Sequence, residues 1–416
     1  MTAGATIDAA LTRLARENSG QVVASLARRF KSLDIADEAV QEAMIEASKR
    51  WPEDGVPSNP GGWLYRVAQR RAIDMVRRSG AEQRRFDAAA ADLAPTDEGD
   101  TNDRTMLIDV TNDDFEDERL RLILLCCHPA LGPDTQVALT LRLVGGLTTE
   151  EIAAAFLVPT PTLAARITRA KKKIRQANIP LGTPDHVAER MGSVLAVLYL
   201  IFNEGYLSRS YTSAMRVDLC EEALRLTAVV ATLAPDNAEA RGLLALLQLT
   251  HARRDARFRN GQLVLLDDQD RGVWHLDEIQ AGNRVLGDAM RMMQPGVYQL
   301  EALIASHHSN ARTADDTDWA RIVALYDQLM AMKPSPVVAL NRAVSIAMSD
   351  GPLAGLRELD QIEGLDDYHL FHSARGELLA RNGDANAARQ SFERAQELAT
   401  NPSELDHLAA KLAHLS

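Results

Sequence analysis

The sequence predicts an all-α protein: two small helical domains joined by an acidic linker, followed by a longer domain that resembles an α-solenoid. Three observations favour this fold class. Aromatic residues form only 5% of the chain, while alanine and leucine, which are good helix formers, are abundant. Apolar residues recur every three or four positions along much of the chain, the period of an amphipathic helix. With 416 residues, the chain is long enough for two or three packed domains.

The net charge of −12 is distributed unevenly. Residues 1–85 contain 14 Lys/Arg and 11 Asp/Glu, and residues 119–180 contain 9 and 3, so both segments are basic. Residues 86–118 contain 1 and 12, and residues 181–416 contain 22 and 32, so both are acidic. Because phosphate attraction depends on local charge more than on the total, the two basic segments are candidates for nucleic-acid binding. We expect these four segments to be the first domain, the linker, the second domain and the C-terminal domain.

The first basic segment begins with an amphipathic pattern over 6–29 that predicts one or two helices. A further helix is predicted over 34–51, with an apolar stripe that ends at Trp51. The outer face of this helix presents acidic and amide side chains, namely Asp37, Glu38, Gln41 and Glu42. Such a face suits a protein partner with basic residues, and it is equally typical of a solvated helix surface, so both interpretations stay open.

A loop is predicted over 52–62, where proline and glycine are frequent, and a helix over 63–78. Residues 60–85 hold seven arginines against two acids. Arginine suits phosphates and splayed bases because its planar guanidinium donates two hydrogen bonds at once and stacks on rings. The helix is therefore a candidate for nucleic-acid binding, with an arginine-rich solvated helix as the alternative.

Residues 86–118 have little apolar periodicity and much negative charge, which predicts a flexible or extended linker. An acidic segment of this kind can also compete with nucleic acid for a basic channel. The sequence does not decide between a plain linker and such a competitor.

Residues 145–176 predict two short helices joined by a tight turn. Thr148 and Thr149 precede two glutamates at the first helix start, and Thr160 with Pro161 starts the second helix. The second helix has one apolar face, formed by Leu163, Ile167, Ala170 and Ile174. Its other faces hold six cations and no carboxylate, namely Arg166, Arg169, Lys171, Lys172, Lys173 and Arg175. This pattern is typical of a DNA-binding helix-turn-helix, with a solvated basic helix as the alternative.

The C-terminal domain is predicted to contain helices over 187–202, 216–233 and 238–250, then an irregular stretch over 251–275. Beyond residue 298 a repeat appears, because Tyr326, Leu359 and Phe392 lie 33 residues apart and Pro334 follows Tyr326 by eight. The spacing is typical of tetratricopeptide units, which stack into a protein-binding solenoid. We therefore expect a regulatory protein as a partner of this domain.

Catalytic or metal chemistry is not expected. Cys126 and Cys127 are adjacent on a predicted helix, where a buried thiol is the simpler interpretation, and no second Cys/His pair lies at zinc spacing. Glu204 has no accompanying nucleophile or phosphate-binding loop in the sequence. We expect no enzyme activity, metal or cofactor. No apolar run reaches the roughly 18 residues of a membrane span. With no signal-peptide pattern either, a cytoplasmic protein without membrane contact is expected.

Three motifs, in this order, resemble those of an extracytoplasmic-function (ECF) sigma factor of the sigma-70 family. They are Asp37-Glu38-Ala39-Val40-Gln41-Glu42-Ala43, the helix from Trp63 to Arg78, and the helix-turn-helix from Gly146 to Arg175. The resemblance covers roughly residues 8–180. The C-terminal domain resembles the extension of the subgroup that has tetratricopeptide-like repeats.

The resemblance implies that the chain directs RNA polymerase to promoters. The acidic face of 34–51 would dock on the clamp coiled coil of the largest subunit of the polymerase core. The first basic helix would hold the melted −10 element, through Arg66, Arg70, Arg71, Arg77 and Arg78. The second basic helix would lie in the major groove of the −35 element. The linker would thread toward the active-site cleft and the RNA exit path.

The sequence departs from the family pattern at Ala164 and Ala165, where members often have a basic residue and a serine. Methyl groups cannot donate hydrogen bonds to guanine, although they can pack against a thymine methyl. We therefore expect −35 recognition to depend on phosphate contacts and groove shape, through Thr162, Arg166, Arg169, Lys171, Lys172 and Lys173.

Two alternatives remain at the level of sequence. One is a stand-alone helix-turn-helix regulator with a tetratricopeptide effector domain, and a weaker one is a hydrolase or metal enzyme fused to a DNA-binding segment. The arginine helix and the acidic helix favour the sigma factor, because a simple regulator needs neither.

Overall fold

The computed structural model describes residues 3–90, 120–156, 158–176, 187–206, 216–259, 262–400 and 402–415. Most of these residues are helical and very few are in strands, which confirms the all-α fold class. The chain divides into two compact units, Met1–Val197 and Leu198–Ser416.

The first unit begins with three long helices, α1 (Ala3–Phe30), α2 (Leu33–Asp54) and α3 (Pro60–Ala90). They pack on one another in every pairing. Trp51 at the end of α2 is fully buried, and its ring meets that of Trp63 edge to face, with the ring centres 5.6 Å apart. This contact joins the end of α2 to the start of α3 and orients the arginine helix against the acidic one.

The predicted loop over 52–62 is shorter than expected, because helices continue into it from both sides. α2 runs through Pro52 to Asp54 and ends at Gly55, whose φ of 81° is favourable for glycine. Asn59 caps α3 by accepting a hydrogen bond from the Gly62 N–H, and Pro60 occupies the first helical position. The N–H groups of the first helical turn have no carbonyl partner within the helix, so a proline there loses no hydrogen bond. Pro60 can therefore begin a helix.

The second half of the first unit contains a helix over 120–126 (α4), α5 (Pro133–Leu143), α6 (Thr149–Ala155) and α7 (Thr160–Gln176). Thr148 caps α6 in a capping box with Glu151, so the predicted helix start is confirmed. The four predicted apolar residues of α7 are all buried, namely Leu163, Ile167, Ala170 and Ile174. Most of the predicted linker, residues 91–118, lies outside the described residues, and residues 86–90 are the end of α3.

Helix α8 (Val187–Tyr206) spans the boundary between the units. In the second unit, α9 (Val217–Leu233) and α10 (Ala238–His251) follow, with Asn237 capping α10. The predicted irregular stretch contains three short 3₁₀ turns, Arg254–Ala256, Leu266–Asp268 and Arg271–Val273. Two short antiparallel strands lie between them, β1 (Phe258–Arg259) and β2 (Gln262–Leu263).

The rest of the second unit is a succession of helices that pack mainly on their neighbours in the chain. They are α11 (Leu276–Arg291), α12 (Val297–Asn310), α13 (Trp319–Met332), α14 (Pro336–Asp350), α15 (Pro352–Leu359), α16 (His369–Arg381), α17 (Ala385–Leu398) and α18 (Pro402–His414). Leu359 and Phe392 are buried, and Tyr326 packs on the core between α12 and α13. Gly376 lies so close to Phe392 that a methyl group there would meet the ring. All three residues of the 33-residue spacing thus face the interior, while the tetratricopeptide assignment stays a prediction.

Candidate nucleic-acid and polymerase surfaces

The arginines of α3 lie on a face away from the core. Leu64, Ala68 and Ala72 are fully buried against α1 and α2. Arg66, Arg70, Arg77 and Arg78 are exposed. Steps of four and seven residues place Arg66, Arg70 and Arg77 on one side of the helix. This gives a row of cations about 16 Å long, from the helical rise of about 1.5 Å per residue.

Arg71 differs from the other arginines because it is held by α2. Its Nη2 donates to Glu46 at 2.7 Å, and its Nε lies 3.6 Å from Glu42. The hydrogen bond from Arg71 lowers the pKa of Glu46, and the same bond raises the pKa of Arg71. The structure therefore assigns Arg71 and Glu42, which the sequence placed in two different binding surfaces, to one contact between α2 and α3.

The predicted polymerase-binding face of α2 is only partly exposed. Glu38 and Gln41 are exposed, and Glu42 is half-buried beside Arg71. Asp37 is buried, with 8% of its side chain exposed. It accepts a hydrogen bond from Nζ of Lys171, and an Nη of Arg142 lies 3.6 Å from its other oxygen.

Some cations of α7 face solvent, and others contact neighbouring parts of the first unit. Thr162, Arg169 and Lys172 are exposed, as are Ala164 and Ala165. Arg166 is half-buried, 3.6 Å from Asp134 of α5, and Lys173 donates to the Ala130 carbonyl. Lys171 is nearly buried against Asp37. Of the six predicted α7 contacts to DNA, four are therefore exposed in this arrangement, including Lys173, and Arg166 and Lys171 are partly buried.

The helix-turn-helix contacts α1 and α2 directly. Besides the Lys171 contact, Arg175 pairs with Asp34 at 2.8 Å. The turn before α6 comes close to α1 at Gly146, whose φ is 71°, and a methyl group there would lie 2.2 Å from the Ala15 carbonyl oxygen. Only glycine fits this conformation and this approach.

A cleft of about 320 Å³ adjoins this contact and is lined by Gln41, Met44, Ile45, Thr148 and Glu150, among others. Ile45, which the sequence pattern did not single out, is an exposed apolar residue one turn beyond Gln41. It could have been found, because it lies off the apolar stripe of α2. Arg142 was also missed, since nothing local indicates that it faces a carboxylate more than a hundred residues away.

The three cysteines, Cys126, Cys127 and Cys220, are buried and reduced. Burial raises the pKa of Cys127 and of Cys220 to about 12, so both are neutral thiols at neutral pH. In the part of the chain that the structure describes, no group of three metal-binding side chains comes together. None of the helices in that part is long and apolar enough to cross a bilayer.

Comparisons with known proteins match the two basic segments to two families. Residues 14–82 match sigma-70 region 2, and residues 121–174 match sigma-70 region 4. The first match contains α2 and the arginines of α3, and the second contains the helix-turn-helix. Residues 190–290 match a family of unknown function, DUF6596.

The relatives agree with these matches. An uncharacterized protein of Rhizobium meliloti (strain 1021) is 42% identical over 404 residues, 95% of this chain and 93% of its own. The ECF RNA polymerase sigma-E factor of Escherichia coli (strain K12) is 31% identical over 161 residues, 38% of this chain and 82% of its own. The sigma-E factor of Salmonella typhimurium (strain LT2) is 30% identical over the same length.

Both sigma-70 regions are present in order, with the acidic α2 and the arginine helix inside the first, so the interpretation as a stand-alone regulator is set aside. The family consists of transcription initiation factors and not of enzymes. Its partners are the RNA polymerase core and promoter DNA. The chain belongs to the ECF group of the sigma-70 family, and it is an RNA polymerase sigma factor that directs transcription initiation.

Proposed function

We propose that this sigma factor binds its promoter through two separate cationic surfaces while the acidic face of α2 holds the polymerase core. The observation that supports the proposal is the exposure of both sets of cations. Arg66, Arg70 and Arg77 are exposed along α3, and Arg169 and Lys172 are exposed on α7. The first domain (1–85) then binds the −10 element and the polymerase core, and the second (119–180) binds the −35 element. Both act in the cytoplasm, where core polymerase and promoter DNA meet.

The row on α3 binds the melted −10 element. Its length of about 16 Å matches roughly five nucleotides of a strand at about 3.4 Å each. Guanidinium groups bind phosphate and stack on bases, and both contacts become available once the strands separate. Arg66, Arg70, Arg77 and Arg78 are the residues for this role, and Arg71 contributes through the position of α3.

Helix α7 binds the −35 duplex mainly through contacts to the sugar-phosphate backbone of the DNA. Thr162 lies in the first turn, where side chains reach base edges, and Arg169 and Lys172 face the phosphates. Ala164 and Ala165 are exposed beside them and cannot donate hydrogen bonds. Arg166, Lys171 and Lys173 join these contacts when they leave their present partners.

The polymerase core binds α2 through Glu38, Gln41 and the neighbouring apolar Ile45, on the clamp coiled coil of its largest subunit. Asp37 joins this surface only when the helix-turn-helix leaves it. We therefore also propose that the packing of α7 on α2 is a resting arrangement that opens on binding to the core. If only a fraction of the molecules is in the open, binding-competent state, the apparent affinity for the core is the intrinsic affinity multiplied by that fraction. The contact between α7 and α2 would therefore lower the affinity for the core.

Replacing Lys171 by methionine is expected to increase affinity for the core by about tenfold, if the lost contact contributes about 1.4 kcal/mol to the resting arrangement. The matched control is Lys172→Met, which removes the same charge from the exposed neighbour. Lys172→Met is expected to weaken −35 duplex binding by the chain alone more than Lys171→Met, because Lys172 is exposed to the phosphates and Lys171 is paired with Asp37. The measurement is fluorescence anisotropy with core polymerase and, separately, with a labelled duplex.

Equal core affinities for the two variants would show that the Lys171–Asp37 contact does not restrain binding. A lower core affinity for Lys171→Met alone would show that the Lys171–Asp37 contact favours core binding, which is the opposite of the proposal. In either case the roles of the two cationic surfaces would need no change, because the duplex measurement tests them separately.

The C-terminal domain (181–416) regulates the first unit, together with a regulatory protein that binds its helical surface. Support comes from the helix pairs of the second unit and from the predicted repeat beyond residue 298. A chain ending at Leu181 is expected to initiate more transcription than the full chain with the same core. Equal or lower run-off product from the shortened chain would contradict an inhibitory role.

A further inference from the structure

Three arginines around the irregular stretch of the second unit form no ion pair with a carboxylate among the described residues. The side chains of Arg253 and Arg257 form no hydrogen bond or ion pair with any described residue, and the guanidinium of Arg271 donates only to the backbone carbonyls of His308 and Ala311. Other arginines of the same unit behave differently. Arg254, next to Arg253 in the chain, makes two hydrogen bonds to Glu278, at 2.7 and 2.8 Å.

A shortage of acids does not explain this difference, because residues 181–416 contain 32 Asp/Glu and 22 Lys/Arg. The three arginines are instead held by aromatic rings. The guanidinium of Arg257 lies 4.1 Å from the centre of the Tyr206 ring. Those of Arg271 and Arg253 lie 4.6 and 5.9 Å from the ring of Trp274. Ring contacts fix the planes of the guanidinium groups and leave their N–H edges available.

Several nitrogen atoms in this cluster are buried and have no hydrogen-bond partner among the described residues: Nε of Arg253 and of Arg257, Nη2 of Arg271, Nε1 of Trp274 and Nδ1 of His308. Burial lowers the pKa of Arg253, and the neighbouring Arg257 and Arg271 lower it further. Burial also lowers the pKa of His308 to about 3, with Arg253 and Arg271 adding to the effect. His308 is therefore neutral, and the positive charge belongs to the arginines.

Unpaired charge in a protein interior is unfavourable, and unpaired buried donors are rare in folded proteins. An anion that binds between the arginines would neutralise the charge and accept hydrogen bonds from the guanidinium and indole N–H groups. Several cations close together favour a multiply charged anion over a single carboxylate, and guanidinium groups match the oxygens of phosphate in pairs.

We propose that Arg253, Arg257 and Arg271 form a binding site for a small molecule that bears a phosphate group. Trp274 and His308 complete the site beside them. Arg253 and Arg257 flank the first 3₁₀ turn and Arg271 begins the third, so the irregular stretch brings these cations together. The site is a property of the second unit and does not depend on whether that unit regulates transcription.

The test is isothermal titration and thermal unfolding of the full chain with inorganic phosphate, adenosine monophosphate and acetate at matched ionic strength. Saturable binding and a higher melting temperature are expected with the two phosphates and not with acetate. Tighter binding of the nucleotide would indicate a phosphate ester as the ligand, and tighter binding of inorganic phosphate would indicate the free ion.

Arg253→Gln and Arg271→Gln are each expected to weaken phosphate binding by about tenfold or more, since each removes charge-assisted hydrogen bonds. The matched control is Arg254→Gln, which is expected to lower stability by breaking the Glu278 pair and to retain the phosphate response. Without phosphate, Arg253→Gln is expected to melt at the same temperature as the natural chain or higher, because it removes an unpaired charge.

The proposal is overturned if neither phosphate binds the full chain. It is also overturned if Arg253→Gln and Arg271→Gln bind phosphate as the natural chain does, because the ions would then be bound by the basic surfaces of residues 1–180. If one variant fails to fold, the other variant and the titration of the natural chain still decide the question.

Discussion

Replacing Arg70 and Arg77 together by alanine is expected to reduce open-complex formation by more than tenfold and to leave −35 duplex binding nearly unchanged. Both side chains are exposed in the row on α3, away from the buried Leu64, Ala68 and Ala72. Loss of an arginine that contacts nucleic acid typically costs about 1–3 kcal/mol, and about 1.4 kcal/mol corresponds to tenfold. Permanganate reactivity of the −10 thymines measures the open complex, and anisotropy measures duplex binding.

The control for this pair is Arg13→Ala, on the exposed side of α1, which should retain open-complex formation. Arg71→Ala offers a second comparison. Because Arg71 pairs with Glu46 and Glu42, its loss is expected to lower the thermal stability of the chain as well as its activity. Parallel losses of open complex and duplex binding in the Arg70/Arg77 variant would show that the two cationic surfaces are not separate.

Replacing Glu38 by lysine is expected to weaken binding to the polymerase core by tenfold or more. The side chain is exposed on α2, near the exposed Gln41 and Ile45. Reversal of its charge would place like charges together at the interface, which costs several kcal/mol in known complexes. The affinity is measured by competition with another sigma factor for a fixed amount of core.

The matched control is Glu53→Lys, which makes the same change at an exposed position near the end of α2. It should lower core affinity much less than Glu38→Lys. A similar loss in both variants would mean that the net charge of the first domain, and not a local contact, governs core binding.

Local features of the fold could be predicted from the sequence because they depend on neighbouring residues. The cap at Thr148 and the buried face of α7 follow from spacing within one helix. The helical start at Pro60 was missed because Asn59, which caps it, was counted as part of a proline-rich loop. A single capping side chain therefore determines where this helix begins.

Contacts between distant residues could not be predicted in this way. Asp37 and Lys171 are 134 residues apart, and each looked like an exposed charge on its own helix. Their pairing depends on how α7 packs on α2, which the close approach at Gly146 helps to fix. The arginine cluster was missed for the same reason, since the irregular pattern of 251–275 gave no indication that Arg253, Arg257 and Arg271 come together with His308.

Run-off transcription with purified core polymerase and the full chain tests the central claim most directly. The account predicts a promoter-dependent transcript that appears only when the chain is present and that is lost in the Arg70/Arg77 variant. The templates are genomic DNA fragments that the chain itself binds. If the core enzyme produces no promoter-specific transcript from these templates when the chain is added, the account is contradicted.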